Sequence, residues 1–156
     1  MDAFPLRVND GSASIARNVR LPPPWETAMP PRFDPDTIAT LARVREIELE
    51  TTSLDGTTTH RTTIWIVMIG DQVFIRSERG TAGRWYRETR QSPDVVVHAA
   101  DEAIPVTAVP AADPDTIRQV SDALTDKYGR LSAASTAAML EPHTLETTLR
   151  LDRRGT

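Results

Sequence analysis

The sequence predicts a mainly β fold of the α+β class, a six-stranded antiparallel barrel flanked by two to three helices. Three observations predict it. Period-two apolar patterns recur along the chain. The turns between them, at Asp55-Gly56 and Gly70-Asp71, are short hairpin signals. Strands and helices do not alternate in the βαβ rhythm that a doubly wound sheet requires.

Residues 1–33 hold six of the twelve prolines, among them Pro22-Pro23-Pro24 and Pro30-Pro31. Proline fixes φ and donates no ladder hydrogen bond, so this stretch reads as an extended arm before a domain spanning 34–156. Phe4, Leu6, Val8, Ile15, Val19, Leu21 and Trp25 are too many apolar residues for a purely solvated tail. The arm is expected to lie across the barrel or a partner subunit.

The first helix opens at Asp34-Pro35-Asp36-Thr37-Ile38, with Asp34 as N-cap, Pro35 at the first helical position and Asp36 on the positive end of the dipole. The same five residue types recur at Asp113-Pro114-Asp115-Thr116-Ile117. The flanking sequences do not match, so this is one capping solution used twice and not a duplicated domain. The second helix presents Ile117, Val120, Leu124 and Tyr128 inward and ends near Gly129, and Ser132 to Leu140 reads as a third, short helix.

Between the helices, Ile47, Leu49 and Thr51 alternate with Glu46, Glu48 and Glu50, as in a strand wet on one side. After Asp55-Gly56 a strand begins near Thr58, and its Thr62–Ile69 part is apolar enough to be covered on both faces. Val73–Ile75, Val95–Ala99 and Ile104–Val109 follow, Pro105 marking an edge or bulge. Alternation from Leu145 to Leu151 supplies the sixth strand.

Composition bounds the function. A chain of 156 residues, 39% hydrophobic and 26% charged, is one domain large enough to bury a core. A net charge of −4 argues against non-specific nucleic-acid binding. Without cysteine there is no disulfide, thiol redox centre or zinc–thiolate site. No apolar run is long enough to span a membrane, and no continuous apolar leader opens the chain, so a cytoplasmic protein is expected. His60, His98 and His143 have no ligand-spaced partners, which leaves no metal site to predict.

The chemistry concentrates between His60 and Pro93. A hairpin brings Arg76 and Ser77 to a strand end, Gly80 and Gly83 allow close backbone approach, and a helix opens at Arg84-Trp85-Tyr86. The amides of that helix start favour an anion, and Arg79 and Arg84 add planar donor forks suited to phosphate or carboxylate. The spacing fits neither the Walker nor the dinucleotide fingerprint, so a phosphate-holding corner and an ordinary polar loop with solvated arginines are both open here. Trp85 reads as a packing residue. Tyr86 carries a hydroxyl that needs a partner if buried, which makes it a candidate ligand contact.

The run from Gly56 to Val109 resembles the FMN-binding split-barrel superfamily, the pyridoxamine-phosphate-oxidase-like fold, and within it the small relatives of deazaflavin-dependent nitroreductases. The resemblance rests on an order: His60-Arg61-Thr62-Thr63, an apolar hairpin, Arg76-Ser77 with Gly80 and Gly83, Trp85-Tyr86 opening a helix that closes at Ser92-Pro93, then Val95-Val96-Val97. It implies a homodimeric split barrel binding FMN or a deazaflavin, with Arg76, Ser77, Arg79, Gly80, Gly83 and Arg84 about the phosphate. Arg61 and Thr63 would stand on the ring side, and Tyr86 at the cofactor or substrate. Such a protein is expected to be an oxidoreductase acting on a small organic substrate, the hydride chemistry being the cofactor's. The chain departs from the family pattern at Glu88, Thr89, Gln91 and Ser92, and Glu88 puts negative charge near the expected phosphate. Those departures keep a second reading open, a cofactor-independent cyclase, dehydratase or isomerase on the same scaffold. Tyr86, His60 and Glu78 are its acid–base candidates. A ligand-binding or assembly protein without catalysis is the third.

Overall fold

The computed structural model describes residues 32–154. The proline-rich arm expected over 1–33 therefore lies, except for Arg32 and Phe33, outside the described residues. Helix α1 (Pro35–Arg43) is capped as its sequence dictates, the Asp34 carboxylate accepting from the Thr37 amide at 2.9 Å. It leads into β1 (Glu46–Thr52), which the Asp55-Gly56 turn joins to β2 (Thr59–Trp65). Gly56 takes φ of 76° in that turn, a conformation glycine adopts without penalty.

The strand expected to run unbroken from Thr62 to Ile69 is interrupted at Ile66, and β3 (Val67–Ile69) is a separate strand, which makes seven strands where six were expected. The cause lies outside the segment. The Ile66 amide donates to the Tyr128 hydroxyl at 3.1 Å, and the Ile66 carbonyl accepts from Lys127 Nζ at 2.7 Å, so neither group is left for a ladder. After β3 come β4 (Gln72–Ile75), a 3₁₀ turn (Gly80–Ala82), α2 (Arg84–Gln91), β5 (Asp94–Ala99) and β6 (Glu102–Pro110). Helix α3 (Pro114–Tyr128) is capped by Asp113 as α1 is by Asp34, and short helices α4 (Ala133–Ala138) and α5 (Pro142–Leu145) precede β7 (Leu149–Arg153). The described residues thus hold more than the two to three helices expected. The alternation read from Leu145 onward is a strand only from Leu149, because Thr144, Thr147 and Thr148 turn their hydroxyls back onto local carbonyls.

All pairings in the sheet are antiparallel, in the order β2-β1-β5-β6-β7-β4-β3. Strands β2 and β3 stand at opposite ends of that order, yet only Ile66 separates them in the chain. The sheet therefore curls so that this one residue can join its two ends, with no ladder between them, giving a half-barrel. Its core gathers Leu49, Ile64, Ile66, Ile75, Val97 and Leu149 with Phe33, with Leu41 of α1 and with Trp85 and Tyr86 of α2. A second cluster lies outside the sheet, where Val120, Leu124 and Tyr128 of α3 cover Val67 and Phe74. Strands β3 and β4 are therefore apolar on both faces. Among the described residues no helix is long and apolar enough to cross a membrane.

Candidate cofactor-binding site

Where β4 ends, the chain enters the corner of residues 76–83, and a cavity of about 510 Å³ opens between that corner, the end of β2 and α4. Thr62, Thr63, Ile64 and Trp65 form one wall. Arg76, Ser77, Glu78, Arg79 and Gly83 form the second with Arg84 and Trp85, and Ser135 and Met139 close the third. Its volume is that of a small-molecule site.

Arg76 reaches this cavity but is 1% exposed. Its Nε donates to Thr148 Oγ1 at 2.9 Å, its Nη1 to Ser121 Oγ at 2.9 Å and to the Met139 carbonyl at 3.0 Å, and its Nη2 to the Ile117 carbonyl at 3.0 Å. A guanidinium carries five N–H donors, so one is left over. Burial lowers its pKa to about 10, which leaves it charged at neutral pH. Ser77 is equally enclosed, its amide donating to Thr147 Oγ1 and its hydroxyl to the Gly80 carbonyl at 2.8 Å. The two residues thus tie the corner to α3 and the chain before β7.

The glycines serve packing within the protein. Gly80 has φ of 65°, and a Cβ there would stand 2.8 Å from the His143 ring and 2.9 Å from the His143 carbonyl oxygen. At Gly83, which lines the cavity, a Cβ would meet Ser77 Oγ at 2.6 Å. Gly83 precedes α2, so the first amides of that helix border the cavity.

Arg79 and Glu78 are exposed at the cavity mouth, and among the described residues Arg79 has no ion pair or side-chain hydrogen bond. Arg84 is half exposed, its Nη2 donating to Thr62 Oγ1 at 2.8 Å and its Nε standing 3.9 Å from Glu88 Oε1. Glu88 does not project into the cavity. It is 2% exposed, accepts from Thr51 Oγ1 at 2.6 Å and pairs with His60 Nδ1 at 2.7 Å. Sequence reasoning placed His60 and Glu88 separately and missed their contact. The signal was available in the pairing of Thr51 with His60 across β1 and β2.

Arg61 and Thr63 share the outward face of β2 with Trp65, as the period of two predicts. Thr63 lines the cavity. Arg61 lines a shallower depression of about 570 Å³ with Glu48 and His98, and it pairs with Glu48 at 2.7 Å. Glu46 and Thr63 belong to both walls, so the two depressions adjoin. Trp65 stacks on Tyr128, rings parallel and 4.0 Å apart, and shows its remaining surface to the cavity. Tyr86 packs in the core and is not part of the cavity wall. Thr62, Ser135 and Met139 were not foreseen, the last two because nothing in a small, alanine-rich helix marks it as a wall. Among the described residues no cluster of three or more histidine, aspartate or glutamate side chains could hold a metal.

A family model described as an uncharacterised protein conserved in bacteria, DUF2255, matches residues 37–151. No curated protein matches the chain. Several solved structures share its fold. A candidate pyridoxamine 5'-phosphate oxidase from Listeria innocua aligns with a TM-score of 0.58 at 14% identity over 77% of this chain and 92% of that one. The haem storage protein HutZ from Vibrio cholerae gives 0.56 at 12% identity, over 80% and 92%. An F420-H2 dependent reductase gives 0.54 at 13% identity, over 69% and 94%. The ligands that these proteins' names carry differ from one to the next, so the likeness establishes a split-barrel fold and leaves the ligand to the residues of the cavity.

Proposed function

We propose that this chain, which belongs to the DUF2255 family of bacterial proteins, binds FMN or a deazaflavin in the cavity beside β2 and acts as an oxidoreductase on a small organic substrate. One observation carries the reading. Two guanidinium groups, of Arg79 and Arg84, border a cavity whose wall also holds the hydroxyls of Thr62 and Thr63, the indoles of Trp65 and Trp85, and the carboxylates of Glu46 and Glu78. Cationic forks and flat indole surface in one cavity match an anionic tail joined to an aromatic ring.

The residues present fit such a group. Arg79 and Arg84 would hold the phosphate with the amides that open α2, and the last free N–H of Arg76 would add to them while its other donors, with Ser77, keep the corner rigid. Gly80 and Gly83 let the corner fold tightly enough for this. Thr63 and Arg61 would stand at the ring side. When bound, the cofactor supplies hydride transfer; the protein supplies position and exclusion of water. A homodimer completing the site from a second subunit is part of this reading.

The test is direct. Purified protein titrated with FMN and with a deazaflavin, followed by calorimetry and fluorescence, should bind one of them, with affinity lowered at least about tenfold by Arg84→Ala, the loss of a charge-assisted pair. Binding of neither would sink the cofactor reading.

A second reading draws on Glu46 and Glu78, whose carboxylates line the same cavity. Together they could hold and move a proton for a cofactor-independent isomerase, dehydratase or cyclase, and a protein that binds no cofactor would favour it. Of the acid–base candidates read from the sequence, Glu78 alone stands in that wall.

A further inference from the structure

Glu88 is a carboxylate side chain enclosed by the protein, and one of its partners, Arg84, lines the cavity. Its Oε2 pairs with His60 Nδ1 at 2.7 Å, and its Oε1 accepts from Thr51 and stands 3.9 Å from Arg84 Nε. Arg84, one helical turn earlier on α2, is anchored by Thr62 and lines the cavity. His60 does not line the cavity, and its side chain is 34% exposed, so it exchanges protons with solvent away from it. A continuous line therefore runs from solvent through His60, Glu88 and Arg84 to the cavity.

We propose that Glu88 is a positioning residue that aims Arg84 into the cavity, and that the proton on His60 sets how much of Arg84's charge is left for an anion there. The proposal rests on the reading that an anion binds beside Arg84.

The charges give the sign. With His60 protonated, His60, Glu88 and Arg84 sum to one positive charge. The carboxylate is then satisfied by the imidazolium, and the guanidinium faces the cavity undiminished. With His60 neutral the three sum to zero, and Glu88 turns its whole charge on Arg84. An anion is therefore held more tightly at low pH. Histidine is the side chain that changes charge in the physiological range. The other charged groups near this line are Glu46, Glu78, Arg76 and Arg79 in the cavity wall, Arg87 and Arg90 on α2, and Glu50 on β1, which pairs with His98; among the described residues none of them pairs with His60. Arg61, next to His60 in the chain, points to the opposite face and pairs with Glu48.

The experiment uses sulfate, whose charge is constant over the range, and FMN beside it. Sulfate should bind about fivefold more weakly at about pH 8 than at about pH 5.5, a loss on the scale of one charge acting over a few ångströms of protein surface. In His60→Asn the two affinities should agree within about twofold, the residual dependence expected of distant, screened charges. The Arg84 Nε–H resonance should shift over the same range in the ligand-free protein and stay still in His60→Asn and Glu88→Gln, a response that a purely structural role would not produce. For FMN, whose own phosphate titrates, the comparison is wild type against His60→Asn at each pH. An Arg84 resonance that ignores pH in the wild type, or one unmoved by sulfate at every pH, overturns the proposal. So does an anion affinity that follows the same pH curve in His60→Asn. Sulfate binding that follows His60 with no FMN or deazaflavin binding supports the proposal and removes the cofactor reading instead.

Discussion

The Arg76 guanidinium donates through Nη1 to the Met139 carbonyl oxygen at 3.0 Å, across a separation of 63 residues. Its other donors reach Ile117, Ser121 and Thr148, so one side chain ties the end of β4 to α3, to the end of α4 and to the entry of β7. Arg76→Ala would take this donor from two carbonyls and two hydroxyls, of which the Met139 carbonyl keeps the Thr144 hydroxyl and Ile117 and Ser121 are half-buried. The expected loss is on the order of 3 kcal/mol or more in chemical denaturation, because four hydrogen bonds from a charged donor are lost together. Arg76→Lys should recover little of it, since a single ammonium cannot span acceptors on both sides of a planar fork. An Arg76→Ala protein as stable as the wild type would show that the bonds are incidental.

Gly80 is held by geometry in two ways. Its φ is positive, and the space a Cβ would occupy belongs to the His143 ring and carbonyl oxygen. Gly80→Ala should therefore lower stability by about 2 kcal/mol, combining left-handed strain with a displaced neighbour. His143→Ala in the same chain relieves the ring contact and leaves both the carbonyl contact and the strain, so the double variant should regain only part of the loss in thermal melts.

These two positions show what could and could not be read from the chain alone. The caps at Asp34 and Asp113 were legible because an N-cap contacts an amide three residues away. The Asp55-Gly56 turn was legible for the same local reason, and the order of glycines and arginines after β4 located the corner that borders the cavity. The role of Arg76 was not legible, because its acceptors include main-chain carbonyls of α3 and of the residue after α4, and no residue type advertises a carbonyl. The break at Ile66 was hidden likewise, since it is made by Tyr128 at 62 residues' distance. Nor could Glu88 be placed, because a glutamate on a short polar helix looks solvated until β1 and β2 are laid over it.

Tyr128 stitches that break. Its hydroxyl accepts from the Ile66 amide and has the Ile66 and Arg45 carbonyls as alternative acceptors. Burial raises its pKa to about 12, whereas in the unfolded chain tyrosine titrates at about 10. A group whose folded pKa is raised contributes stability that is whole below the unfolded value and is lost as pH climbs toward the folded one. Unfolding free energy should therefore fall between about pH 10 and about pH 12 in the wild type. Tyr128→Phe should lower stability at neutral pH by about 1–3 kcal/mol, the penalty for an unpaired Ile66 amide, and should flatten this part of the alkaline decline. An equal alkaline slope in both proteins would assign the decline to other groups.

Arg79 and Arg84 stand at the same cavity in different states of preparation, and their variants should differ accordingly. Arg84 is already oriented by Thr62 and Glu88, so little conformational freedom is lost when an anion arrives. Arg79 is exposed, without a partner among the described residues, and must be ordered by the ligand it holds. Both variants remove one charge, but Arg84→Ala also removes a preorganised donor. It should weaken FMN binding at least about tenfold, and Arg79→Ala by about threefold, with a steeper salt dependence of what remains at Arg79 because solvent screens an exposed pair more effectively. Thr62→Val tests the cause of the difference. It leaves the charge of Arg84 in place and removes one of its anchors, so its effect on affinity should fall between those of the two arginine variants. A Thr62→Val protein binding as tightly as the wild type would mean that Arg84 does not owe its advantage to that anchor.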